Sequence, residues 1–171
     1  ERADAILCFD ASLLAGSHRV VVLTRHEQAR VAPGAKAVLW DQSTTRQGWS
    51  KEIDGADVVI NLAGEPIGDH RWSAAQKQRI EDSRINATRH LVAAIANAKQ
   101  PPAVFVSGSA VGFYGPCGDE FVTEETGAGN DFLAGVCRRW EAQAVEASSP
   151  RTRVTASRTS LTARSIGVPI W

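Results

Sequence analysis

The chain of 171 residues contains no methionine, and its first residue is Glu1. That combination fits a piece of a longer protein. It holds a single tyrosine, Tyr114, and only three cysteines, Cys8, Cys117 and Cys137. An odd number of thiols, with no close pair and no histidine at ligand spacing, argues for free thiols over bridges or zinc ligands, so no metal is expected. Charge of one sign is missing too: 19 basic and 19 acidic residues cancel, and the basic ones form no block. Nothing therefore points to a nucleic-acid partner or a membrane surface. No apolar run approaches the roughly 20 residues of a membrane-spanning helix, and no signal peptide stands at the start. A cytoplasmic location is the expectation. At 43% hydrophobic and 22% charged, the chain has the mass for one core, and residues 1–171 read as a single domain.

What the sequence does hold is organised around Asp57-Val58-Val59-Ile60-Asn61-Leu62-Ala63-Gly64-Glu65. The run is short, apolar and left through small residues, the pattern of a central parallel strand covered on both faces. In a doubly wound sheet, ligands sit at the carboxyl ends of such strands, which would put Asn61 to Glu65 at the rim of a cofactor crevice. An ordinary buried strand ending in a tight turn reads equally well from this stretch alone. Upstream, Val20 to Thr24 and Ala35 to Trp40 read as strands, with Ala5 to Phe9 as a further candidate. The ten residues between Phe9 and Val20 hold at most a short helix over 10–15. They cannot hold both the glycine-rich turn and the helix of about three turns that a dinucleotide-binding unit needs. Arg25 follows Thr24 directly. A cation there suits a 2′-phosphate, and a solvated surface arginine fits the same position.

Ser73-Ala74-Ala75-Gln76 is a capping box, in which the serine accepts from a backbone N–H and the glutamine reaches back. A long helix follows, with Ile80, Ala87, Leu91, Ala94, Ile95 and Ala98 at helical spacing and Arg79, Asp82, Arg89 and Lys99 mainly opposite. Pro101-Pro102 closes it. Ala103 to Ser107 reads as the next strand and opens into Gly108-Ser109-Ala110-Val111-Gly112-Phe113-Tyr114-Gly115. Gly112, Gly115 and Gly118 satisfy a glycine spacing, but Pro116 and the acidic run that follows exclude a phosphate loop, leaving an irregular loop over the site. Asp131 caps a second helix over 132–147, with Leu133, Val136, Cys137, Trp140 and Ala144 as its apolar stripe. Val154 to Ser157 makes a poor sixth strand. Alternating strands and helices argue a parallel α/β sheet.

A family resemblance rests on several of these runs together. They are Asn61-Leu62-Ala63-Gly64-Glu65-Pro66-Ile67, Arg71-Trp72, Ser83-Arg84, Val106 to Gly115, Gly129-Asn130-Asp131-Phe132-Leu133 and Trp140-Glu141. The chain resembles, over roughly His18 to Ser157, the epimerase-like branch of the extended short-chain dehydrogenase/reductases. Within it, the chain is similar to NAD-dependent epimerase/dehydratase proteins of the family 39U kind. The resemblance implies that Asn61, Leu62, Ala63 and Gly64 line the adenosine and ribose side of a cofactor and that Arg25 meets the 2′-phosphate of NADP. It also implies that Ser107 and Ser109 stand where the family places its site serine, Ser109 aligning with the catalytic hydroxyl. From the residues alone, Ser109 is either a hydroxyl that can hydrogen-bond a substrate carbonyl or a turn-forming serine.

Three departures qualify what the resemblance implies. The glycine-rich pyrophosphate turn and its helix are not found before His18, so backbone donors for the phosphates are missing. The wider superfamily pairs a tyrosine with a lysine four residues on, whereas Tyr114, the one catalytic tyrosine available, has Gly118 there, and Leu133 and Cys137 occupy the aligned helix positions. Residues 158–171 do not resemble the family's continuation into a substrate region. The expected fold is α/β, a Rossmann-like parallel sheet with helices on both faces, incomplete as it stands. The expected function is that of an NAD(P)-binding oxidoreductase core with weak or no catalysis. NADP is the implied cofactor, NAD an alternative, and the substrate an unknown small molecule. The rival reading is a non-catalytic Rossmann-fold remnant or interaction module that holds no cofactor.

Overall fold

The computed structural model describes residues 6–9, 19–26, 29–31, 33–40 and 48–158. The short helix expected over 10–15, and all but the first residue of the atypical segment 158–171, lie outside the described residues. Six strands form one sheet: β1 (Ile6–Phe9), β2 (Val21–Thr24), β3 (Lys36–Leu39), β4 (Val58–Asn61), β5 (Val104–Gly108) and β6 (Arg153–Ser157). Two α-helices, α1 (Ala74–Asn97) and α2 (Phe132–Val145), connect β4 to β5 and β5 to β6. The strand order is β3-β2-β1-β4-β5-β6. Strands β2 and β3 pair in parallel, as do β4, β5 and β6.

Strand β1 departs from the parallel expectation, because it pairs antiparallel with both β2 and β4. The expected strands at 20–24, 57–61 and 103–107 still run parallel to one another, since β2 and β4 both oppose β1. The segment between β1 and β2 is too short for a glycine-rich turn plus a helix of about three turns, and an antiparallel pair requires neither. Phe9 lies opposite Val58 and Ile6 opposite Asn61. The chain therefore leaves β1 at the edge where β4 begins, away from the carboxyl ends of β4, β5 and β6.

Burial alternates along the central strands, with period two. Val59, Asn61, Phe105 and Ser107 are fully buried, while Val58, Ile60, Val104 and Val106 are half-buried. The β4 run is thus covered completely on one face and partly on the other, not on both as the apolar sequence suggested. Val21, Leu23, Val59 and Phe105 share one core with Leu91, Val92 and Ile95 of α1 and with Trp40, Trp49 and Ile53. Trp40 and Trp49 meet edge to face with centroids 6.0 Å apart, the arrangement the ring quadrupoles favour. The two α-helices pack side by side, joined by Trp140 to Thr88 and by Arg139 to Glu81. The described residues therefore show helical cover on one face. No described helix is long and apolar enough to cross a membrane.

The capping box forms by half. Ser73 accepts from the Gln76 N–H at 3.2 Å, but the Ser73 N–H donates to the Arg71 carbonyl at 2.8 Å. With that donor taken, Gln76 turns inward, fully buried, where its Nε2 reaches Glu65 Oε1 at 3.4 Å and its Oε1 accepts from Arg79 Nε at 3.0 Å. Asp131 caps α2 as expected, accepting from the Ala134 N–H at 2.8 Å.

Thr88 joins three elements through one hydroxyl. Its Oγ1 accepts from Asn61 Nδ2 and from Trp140 Nε1, each at 2.9 Å, and donates to the Arg84 carbonyl at 2.8 Å. Thr88 and Asn61 are wholly buried, so neither donor has water as a substitute. A Thr88→Val substitution keeps the shape and strands both donors, at about 1–3 kcal/mol each. We expect Thr88→Val to lower the urea midpoint by the equivalent of roughly 2–5 kcal/mol and Thr88→Ser to stay within about 1 kcal/mol. Equal losses in the two variants would show that the hydroxyl does not hold the elements together.

Candidate functional site

The carboxyl ends of β4, β5 and β6 lie at one edge of the sheet, since the three strands are parallel. At the end of β4 the chain turns through Asn61, Leu62, Ala63 and Gly64. Asn61 Oδ1 accepts from the Ala63 N–H at 3.2 Å, an asparagine-stabilised turn. Asn61 and Ala63 are buried, and Leu62 and Gly64 are half-buried. Asn61 thus shapes the turn from beneath, and Leu62 and Gly64 are its more accessible residues. The turn backs onto Arg84, which donates to the Glu65 and Ile80 carbonyls at 3.0 Å. A Cβ on Gly64 would lie 2.8 Å from Arg84 Cζ. Ser83 Oγ accepts from the Glu65 N–H at 2.8 Å and fixes the exit.

At the end of β5 the two candidate serines part ways. Ser107 is fully buried and donates to the Gly108 carbonyl at 3.2 Å, so its hydroxyl faces the interior. Ser109 is half-buried just past the end of β5, with its N–H on the Ser157 carbonyl at 2.8 Å. Between them, Gly108 lets the layers close: a Cβ there would stand 3.1 Å from Trp140 Cη2 and 3.2 Å from the Asn61 carbonyl.

Ser109 belongs to a cluster that sequence reading did not assemble. Its Oγ donates to Glu141 Oε1 at 2.7 Å. Arg158, just past β6, donates to the same carboxylate through Nε and Nη2, both at 2.9 Å. The guanidinium lies over the Phe113 ring at 3.5 Å from its centroid, and 5.8 Å from that of Tyr114. Burial opposes ionisation of Glu141, but the hydrogen bonds from Arg158 and Ser109 outweigh it and hold the carboxyl below the usual glutamate range. The Arg158 cation is correspondingly stabilised, chiefly by Glu141. Behind Ser109, burial raises the Cys137 thiol, which keeps it protonated and unreactive.

Tyr114 ends a short 3₁₀ turn, Val111–Phe113, that leads into the glycine loop. Gly115 and Gly118 adopt φ of 70° and 59°, left-handed values that suit an irregular loop and not a helix start. At the two helix positions expected to correspond to the tyrosine and lysine, Leu133 packs against Gly112, within 3.2 Å of where a Cβ would be, and Cys137 is buried. Arg25 is exposed after β2, two strands from β4 in the sheet order, so it stands apart from the Ser109 cluster. Glu141 and Arg158 are the residues that sequence reading missed as site residues. A cation directly after a strand, the feature noticed at Arg25, also marks Arg158.

The Glu141 balance makes a pH prediction. Because its folded value lies below the ordinary 4.5, its contribution to stability is present above that pH and is lost as pH falls through the folded value. Removing the guanidinium leaves burial as the main influence, so Arg158→Ala should move the Glu141 titration from below to above 4.5 in carboxyl ¹³C NMR. An unchanged or lower midpoint in the variant would mean that Arg158 is not the controlling partner.

Comparisons with known proteins agree with this architecture. An epimerase family protein of Mycobacterium leprae is 36% identical over 151 residues, covering 88% of this chain and 47% of that protein. The chain thus spans about half the length of that relative. The structure of the human epimerase family protein SDR39U1 (isoform 2) with NADPH superposes with a TM-score of 0.63 at 27% identity, over 80% of this chain and 43% of that one. A nucleoside-diphosphate sugar epimerase from Corynebacterium glutamicum matches with a TM-score of 0.58 at 39% identity, over 77% of this chain and 26% of that one. The family model described as the NAD dependent epimerase/dehydratase family matches residues 10–135. With that match over most of its length and the Rossmann-like sheet it folds into, the chain belongs to the NAD dependent epimerase/dehydratase family.

Proposed function

We infer that this chain is the dinucleotide-binding core of an epimerase-family oxidoreductase, NADP being the preferred cofactor and NAD the alternative, with weak or no catalysis by the chain as it stands. The observation that carries this reading is the convergence of the Asn61–Gly64 turn and the Ser109 cluster at the shared carboxyl edge of β4, β5 and β6. That edge is where doubly wound sheets bind nucleotides. The human relative with NADPH and the sugar-nucleotide epimerase relative support a dinucleotide and a small-molecule substrate as its ligands.

The residues fit one half of such a cofactor. Leu62 and Gly64 offer a small surface for the adenosine and ribose, and Arg25 offers a cation for a 2′-phosphate. The pyrophosphate is without the usual glycine-rich turn and helix N-terminus, because the chain leaves β1 at the opposite edge and the ten residues before Val20 are too few for both. Hydride exchange is the chemistry such a cofactor supplies when bound. This chain's own residues supply Ser109 and Tyr114 toward a substrate, without a lysine beside the tyrosine. Weak or absent turnover follows from both shortfalls. The reversed β1 also favours the second reading, a non-catalytic Rossmann-fold remnant or interaction module without cofactor.

Titration calorimetry separates the two. A charge-assisted contact to phosphate contributes about 1.5–3 kcal/mol, so Arg25→Ala should weaken NADPH roughly 10- to 100-fold and leave NADH nearly unchanged. Equal weakening of both would remove Arg25 from the 2′-phosphate, and no NADPH binding by the folded chain would favour the remnant. Brisk NADPH turnover with a carbonyl or nucleotide-sugar substrate, abolished by Ser109→Ala, would overturn the expectation of weak catalysis.

A further inference from the structure

The hydrogen bond at Ser109 has a direction that the charges around it dictate. Its Oγ lies 2.7 Å from Glu141 Oε1, and Arg158 donates to both oxygens of that carboxylate at 2.9 Å. An ionised carboxylate accepts and never donates, and a bidentate guanidinium favours the ionised form. The proton between the two residues therefore belongs to Ser109 and points at Glu141. A serine hydroxyl has one proton and two lone pairs. With the proton committed to Glu141 and the Cys137 thiol occupying another side of the hydroxyl, a remaining lone pair is what Ser109 offers to a ligand at the end of β5.

We propose that Glu141 is a positioning residue which, acting through Ser109, makes the site take a hydrogen-bond donor, the hydroxyl of a secondary alcohol, in preference to the carbonyl of the matching ketone. This rests on the proposed function only for placing the substrate at the carboxyl end of β5, and it needs no bound dinucleotide. It reverses the sense expected from sequence, in which the Ser109 hydroxyl donates to a substrate carbonyl. The surroundings hold the arrangement in place. Arg158 is stacked on Phe113 at 3.5 Å, the Ser109 N–H is tied to the Ser157 carbonyl, and the side chain of Glu141 is only 15% exposed.

The test uses cyclohexanol and cyclohexanone as probes, each titrated into the ¹⁵N-labelled chain while the amides of Gly108, Ser109 and Ala110 are followed by NMR. Cyclohexanol should bind at least roughly fivefold tighter, because a lone pair facing a carbonyl oxygen leaves both unpaired. Glu141→Gln can donate its amide N–H to Ser109 Oγ and turn the serine proton outward, so the preference should vanish or reverse. Ser109→Ala should bind the two probes equally. Equal binding by the wild type, no response of these amides to either probe, or a preference that survives in Ser109→Ala would each overturn the proposal. Should Glu141→Gln fail to give a folded amide spectrum, Ser109→Ala decides the matter alone. Failure of NADPH to bind would count against the proposed function and leave this preference intact, so the two fail separately.

Discussion

Thr88 Oγ1 accepts from Asn61 and Trp140 and donates to the Arg84 carbonyl, so one hydroxyl joins β4, α1 and α2 beneath the accessible surface. A buried donor without an acceptor costs more than a formed hydrogen bond contributes, which makes this junction a constraint on everything near it. Asn61 can shape the turn after β4 only while its amide is held by Thr88. Trp140 can lie across β5 only because Gly108 has no side chain. Glu141 follows Trp140 in the chain, so the same junction delivers its carboxylate to the end of β5.

At that end, two opposing effects are set against each other. Burial works against the Glu141 charge, and Arg158 with Ser109 works for it. The guanidinium prevails because it is bidentate and fixed, with one face on Phe113 and a further donor, Nη1, on the Glu124 carbonyl at 3.4 Å. Such a fork loses less freedom on binding than a lysine ammonium would. The cluster draws on four segments: the end of β5, the glycine loop, α2 and the residue after β6. None of them makes a site alone.

The sheet carries a division of its own. From β4 to β6 it follows the doubly wound plan, with α1 and α2 as crossovers and the carboxyl ends of the three strands at one edge. Across β1 the polarity reverses, since it pairs antiparallel with both β2 and β4. Family membership and a reversed β1 are compatible in one chain, because the family match over residues 10–135 takes in β2 to β5 and the start of α2 and does not depend on the direction of β1.

Local pattern, read from the sequence alone, was enough for the strands at 20–24, 57–61 and 103–107, for both helices and for the Asp131 cap. Each of these rests on spacing or on a cap within a few residues. The Ser73 cap was legible for the same reason, whereas the partner of Gln76 was not, because the Ser73 N–H is taken by Arg71 and only the fold brings Glu65 near. Family motifs marked Ser109 and Tyr114, yet Ser107 and Ser109 look alike in sequence and differ by which face of β5 each occupies. Glu141 and Arg158 lie 32 and 49 positions beyond Ser109, a separation across which no periodicity carries information. Local propensity determined what each segment would be. Which way β1 runs, which serine meets solvent and which charge meets Ser109 were decided by tertiary packing, because hydrogen-bond satisfaction and burial are settled between segments and not within them.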